Sequence, residues 1–273
     1  MAFIQHLSSP SMKRLHFLIF AILLSVWIGG GNATATAFAA KPAYMELKVY
    51  HIKTTRQEAL IDSFLQRQYM PAMRAAGIAT IGVFKPIGND TAADRRIYVL
   101  TPYASFNQWE KVGKETTAKL LATGGAYINA AYKYPAYTRL ETVFIKPFEE
   151  MTSLASPKLD APKNERVYEL RSYEGASEKI FRNKVQMFNA GGEVKLFSRL
   201  GFNAIFYGEV VFGSKMPNLM YMTSFANMPA REAHWKAFGG DPEWKKLSGL
   251  PEYQNNVSHI DITFLRPTDY SGL

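Results

Sequence analysis

Glu46-Leu47-Lys48-Val49-Tyr50 returns as Glu169-Leu170-Arg171-Ser172-Tyr173, and this repeated pentapeptide decides the fold. A second pair follows at nearly the same spacing: Leu140-Glu141-Thr142-Val143-Phe144-Ile145-Lys146-Pro147 answers to Ile260-Asp261-Ile262-Thr263-Phe264-Leu265-Arg266-Pro267. The period is that of a whole domain, far longer than a solenoid repeat. A functional site is therefore expected as a pseudo-symmetric pair, or at the seam between the copies.

The segments between these anchors repeat one order. In the first copy, Tyr44 to His51 reads as a strand. Thr55 and Glu58 have capping-box spacing for a helix that Gly77 ends. Ile78 to Phe84 and Arg96 to Thr101 read as strands, Phe106 to Leu121 as a helix, and Thr138 to Lys146 as the last strand. In the second copy, the strand Val167 to Tyr173 precedes an N-cap at Ser177. Gly191-Gly192 should interrupt the helix that follows. Strands Phe202 to Val211 and Leu219 to Phe225 come next, then helices around Arg231 to Phe238 and from the cap Asp241 onward, and the strand His259 to Arg266. The order βαββαβ is the ferredoxin-like motif. The expected fold is α+β: two tandem ferredoxin-like domains, residues 43–148 and 165–268 around a linker at 149–164, pairing their sheets into an α/β barrel within one chain.

The chain's 273 residues, 47% of them hydrophobic and 14% aromatic, suit two globular domains with their own cores. The absence of cysteine excludes disulfides, thiolate metal sites, a cysteine nucleophile and a lipoprotein anchor. The net charge of +9 is scattered, with no basic stripe or binding motif, which argues against nucleic acid. Residues 1–39 read as a signal peptide: Lys13 and Arg14, an apolar run from Phe17 to Ile28, and Ala37-Phe38-Ala39 as the cleavage signal. Met12 is an alternative start. Cleavage leaves 30 basic against 23 acidic residues, a net of +7. The expected location is a bacterial periplasm or the extracellular space, with no stable membrane insertion after cleavage.

Strand alternation nominates the site residues. If the apolar faces meet the helices, the polar faces point into the barrel. The lumen would then hold Glu46, Lys48, Tyr50, Arg139 and Glu141 from one copy, and Glu169, Arg171, Tyr173, His259 and Asp261 from the other. Two readings stand: a structural ion network, or a pocket in which Lys48 and Arg171 anchor an anion or carbonyl. The position of His51 just after the strand places it at the expected lumen mouth. His259, Asp261 and Tyr173 are the candidates for acid–base chemistry, with Tyr50 beside them. No local metal-ligand spacing, glycine-rich phosphate loop or nucleophile elbow is present. The tryptophans Trp109, Trp235 and Trp244 read as packing.

Val167-Tyr-Glu-Leu-Arg-Ser-Tyr173, His234-Trp-Lys-Ala-Phe238, Asp241-Pro-Glu-Trp244 and Phe264-Leu-Arg-Pro267 together resemble the NIPSNAP family, of the dimeric α/β-barrel superfamily. The first copy lacks the Asp-Pro-Glu-Trp element. The resemblance implies the fold, in a superfamily with monooxygenases, haem-degrading enzymes and lactone isomerases. No haem ligand or catalytic motif carries over residue by residue. The functions left open are an exported binding protein for a small polar or anionic ligand, a cofactor-independent or haem-assisted oxygenase or isomerase, and an assembly module, with a homo-oligomer among the expected partners.

Overall fold

The computed structural model describes residues 44–273. The signal-peptide reading lies outside them. Among the described residues no helix is long and apolar enough to cross a membrane.

The first copy runs β1 (Tyr44–Ile52), α1 (Thr55–Phe64), α2 (Met70–Ala75), β2 (Gly82–Pro86), β3 (Arg95–Tyr103), α3 (Phe106–Thr123) and β4 (Arg139–Pro147). The α1 cap is Thr54, one residue before the expected Thr55. Its side chain accepts from Gln57 N, and the Gln57 side chain reaches back to the Thr54 backbone. Glutamine serves this box as well as glutamate does. Between α1 and α2 the chain widens into a π-helical turn, Leu65–Tyr69. Pro71 follows it, has no N–H, and would crowd the carbonyl four residues earlier in a regular helix.

The second copy runs β5 (Val167–Glu174), α4 (Glu178–Phe188), α5 (Glu193–Arg199), β6 (Asn203–Phe212), β7 (Asn218–Phe225), α6 (Met228–Gly240), α7 (Pro242–Ser248) and β8 (His259–Pro267). The glycine pair divides α4 from α5 as its sequence dictates, with Gly192 at φ +91°. Gly77 and Gly201 end α2 and α5 at φ +89° and +74°, a backbone that favours glycine. Asp241 caps α7 by accepting from the backbone N–H groups of Glu243 and Trp244.

All eight strands close into one antiparallel barrel in the order β1-β3-β2-β8-β5-β7-β6-β4. Each copy contributes four neighbouring strands, and the seams are β4 with β6 and β2 with β8. Closure leaves none of these eight strands with an open edge. The described residues therefore form one compact unit rather than two separable bodies.

Three cores follow from the closure. Met45, Leu47, Val49, Tyr168, Leu170 and Leu265 belong to the core inside the barrel. Outside it, α1 to α3 cover one apolar layer on the first copy and α4 to α7 another on the second. Every central strand is buried on both faces, so alternation alone could not say which face looks inward.

Candidate functional site

Directly paired residues of an antiparallel ladder share a face. Leu47 pairs with Val143 and Leu100, and Val49 with Glu141 and Tyr98. Leu170 pairs with Thr263 and Met222, and Ser172 with Asp261 and Met220. These residues face the lumen, so the expected orientation of β1 and β5 is inverted. Glu46, Lys48, Tyr50, Glu169, Arg171 and Tyr173 lie on the outer face, beneath the helices. The reason is physical: an eight-stranded barrel is just wide enough for its own side chains to fill. Charges at that depth would meet only apolar neighbours, whereas the helices supply donors.

Those donors are visible in both copies. Glu169 is fully buried; it accepts from Arg171 Nε (2.6 Å), from Arg231 Nε and NH2 (2.8 and 3.0 Å) and from Trp235 Nε1 (2.7 Å). Burial alone would raise its pKa; hydrogen bonds from Arg231 and the charge of Arg171 outweigh that and hold it below the usual carboxylate range. The Arg171 guanidinium lies 3.8 Å from the Trp235 ring centre and donates to Tyr173. Glu46 accepts from Trp109 Nε1 (3.1 Å) and Tyr103 OH (3.3 Å), with Lys48 Nζ at 3.2 Å. The polar pentapeptide faces are ion networks clamped by helices.

The other four expected residues do face the lumen, at one end. Arg139 and Glu141 sit on β4, His259 and Asp261 on β8, and the structure brings His51 to the same rim. Here a cavity of about 200 Å³ opens, floored by Leu47, Val49, Val143, Leu170 and Met220. Residues that sequence reasoning missed complete its rim: Asp94, Arg96, Ser172, Lys215 and Asn218. The strand-facing rule could have found Ser172, because it shares a face with Leu170. The loop contributions from Asp94 and Lys215 had no local signal.

Two chains of contacts shape the rim. His51 Nδ1 donates to Asp94 Oδ1 (2.8 Å), and Arg96 Nε donates to Asp94 Oδ2 (2.7 Å). Burial opposes charge on Asp94, but His51 and Arg96 prevail and keep its carboxyl below the usual range. A carboxylate only accepts, so Asp94 fixes a ring proton on Nδ1. Nε2 is buried without a hydrogen-bond partner; Glu141 Oε1 lies 3.4 Å away. Across the mouth, Asn218 Nδ2 donates to Ser172 Oγ (2.8 Å), while Asn218 Oδ1 is buried with no partner. Asp261 pairs with Lys215 and, at 3.3 Å, with His259. Donor atoms of Glu174, His259 and Asp261 lie within 4.8 Å of one another, a juxtaposition the sequence spacing did not suggest.

The lumen does not fit a haem. Its volume of about 200 Å³ falls below the roughly 300–1,000 Å³ of pockets for drug-sized ligands, which leaves room for one small ring and none for a macrocycle. The tryptophans are packing residues: Trp235 and Trp244 join the aromatic layer of the second copy, and Trp109 that of the first.

Residues 168–272 match the family model of NIPSNAP. Among curated proteins no match is found. Solved structures similar in fold include a monooxygenase candidate from Fusobacterium nucleatum, with 8% identity, TM-score 0.56, 84% of this chain and 93% of that one covered. Another monooxygenase candidate, from Lactobacillus acidophilus, has 13% identity, TM-score 0.54 and coverage of 83% and 94%. An anthrone oxidase-like protein has 10% identity, TM-score 0.50 and coverage of 82% and 91%. At such identities the likeness is one of fold.

Proposed function

We propose that this chain, whose second copy carries a NIPSNAP domain, is an exported protein that binds a small hydroxylated ring compound at the open end of its barrel. The observation that carries the reading is the pair of buried polar atoms without hydrogen-bond partners, His51 Nε2 and Asn218 Oδ1, above an apolar floor. A buried polar atom left unpaired costs about 1–3 kcal/mol, so a ligand whose hydroxyls pair with both gains what the empty site lacks. The floor takes an apolar ring, and the cations Arg96 and Lys215 at the rim tolerate an acidic substituent.

Isothermal titration with dihydroxybenzenes tests this. The wild type should bind at least one isomer saturably. Met220→Trp, which fills the cavity, should abolish the heat, and Asn218→Leu should weaken binding several-fold. Equal binding by all three proteins would refute the lumen as the site. Export is tested by the N-terminal mass of the secreted protein, which should begin near Ala40.

The Asp94–His51 pair also favours an enzymatic reading. With Asp94 holding the Nδ1 proton, Nε2 can take a proton from a ligand hydroxyl, the first step open to a cofactor-independent oxygenase or isomerase. The fold shared with monooxygenase candidates supports this weakly. Oxygen uptake in the presence of a bound dihydroxybenzene, lost in His51→Ala, would establish it. Binding without uptake or isomerisation would leave the protein a binder.

A further inference from the structure

A second cavity, of about 310 Å³, lies outside the barrel between β1 and the helices of the first copy. The duplication explains it. Glu46 pairs with Thr101 as Glu169 pairs with Thr223. Each strand then ends two residues on, at Tyr103 and Phe225, and each following helix is capped two residues later, by Ser105 and Asn227. Counting from the caps, Trp109 occupies the place of Arg231, and Gly113 the place of Trp235. The packing agrees: Trp109 lies against Phe144 as Arg231 lies against Phe264, and both phenylalanines pair with the corresponding glutamates.

Two things present in the second copy are therefore missing from the first. The ring of Trp235, which packs on Phe197 and beneath Arg171, has no counterpart at Gly113, where an added Cβ would meet nothing within 4 Å, although Trp109 supplies the indole hydrogen bond to Glu46 that Trp235 supplies to Glu169. The Arg231 guanidinium, which grips Glu169 with two hydrogen bonds, has no counterpart on Glu46. Lys48 is the one cation on Glu46, where Glu169 has two. The vacated space is bounded by Glu46, Lys48, Tyr69, Trp109 and Gly113, with Glu110 and Lys114 also in its lining. Tyr69 is 6% exposed, and its buried hydroxyl lies beside Lys48 and Tyr103 without a well-formed hydrogen bond to either.

We infer that this cavity is a ligand site, independent of the lumen, for a planar aromatic cation: a ring in the place of the missing indole and an amidinium- or guanidinium-like group on Glu46 in the place of the missing arginine. The second copy is the chain's own precedent, since there one buried carboxylate accommodates two cations beside an aromatic ring. A planar fork of N–H donors matches a carboxylate in two parallel hydrogen bonds. The Tyr69 hydroxyl is within the same enclosure to take a further donor or acceptor.

Benzamidine is the probe, and benzoate its charge-reversed control. Saturation-transfer NMR and calorimetry on the mature protein should show saturable benzamidine binding and at least tenfold weaker benzoate binding. Gly113→Trp rebuilds the second copy's arrangement and should reduce benzamidine affinity at least tenfold, with circular dichroism and melting temperature confirming a folded protein. Gly113→Leu, a smaller filler with good helix propensity, should give an intermediate loss. No benzamidine binding by the wild type, or equal binding by the wild type and Gly113→Trp, would overturn the proposal. So would binding that survives Gly113→Trp and is lost in Met220→Trp, since the probe would then sit in the lumen.

Discussion

Arg231→Met tests the claim that the polar face of the repeated pentapeptide is a clamped ion network. Arg231 donates two hydrogen bonds to Glu169, at 2.8 and 3.0 Å, from a side chain only 18% exposed. Removing one partner of a buried ion pair costs about 3–5 kcal/mol when the remaining charge is stranded. Here Arg171 and Trp235 still hold the carboxylate, so the loss should be lower, about 2–3 kcal/mol. For a unit of this size that is a melting-temperature drop of about 5–10 °C. The pH dependence has a definite sign. The folded pKa of Glu169 is depressed, so its contribution is complete above the unfolded carboxylate pKa of about 4.3 and is lost as pH falls through the folded value. The gap between wild type and Arg231→Met, measured by urea denaturation, should therefore narrow as pH falls from about 5 toward 3. A loss under about 0.5 kcal/mol at neutral pH, or a gap independent of pH, would refute the clamped network.

Other substitutions probe the remaining layers. Leu47→Ala, inside the barrel, should cost about 2–5 kcal/mol in urea denaturation and enlarge the lumen cavity. Gly208→Ala should cost about 1–3 kcal/mol in the same assay, because its Cβ would lie 2.5 Å from Ile145 Cγ2 and 2.6 Å from the Lys146 carbonyl at the β4–β6 seam. Thr54→Ala removes the α1 capping box and should lower stability by about 1 kcal/mol. Asp94→Asn leaves stability nearly unchanged but frees the His51 tautomer, visible as a change in imidazole nitrogen shifts.

The duplication was legible because both strand pairs kept residue type and order, and the ferredoxin-like order followed from caps and glycines at Ser177, Gly191-Gly192 and Asp241. The facing of β1 was not legible. Leu47 and Val49 pack inward while Tyr50 and Ile52 pack outward, so both faces are apolar and the charged residues belong to whichever side offers donors. Those donors, Trp109, Arg231 and Trp235, lie more than sixty residues away from their glutamates or close to it, beyond any local pattern. On β4 and β8 the inward facing of Glu141 and Asp261 was legible because these strand starts reach the open mouth, where charge meets water. The outer cavity became visible only through register, which aligns Gly113 with Trp235.

The lumen site is tested most directly by imidazole nitrogen NMR of the protein during titration with resorcinol. The His51 Nε2 signal should shift as the atom pairs with a ligand hydroxyl, while Nδ1 keeps its proton on Asp94, and the response should vanish in Met220→Trp. An unchanged His51 signal with resorcinol bound elsewhere would contradict it.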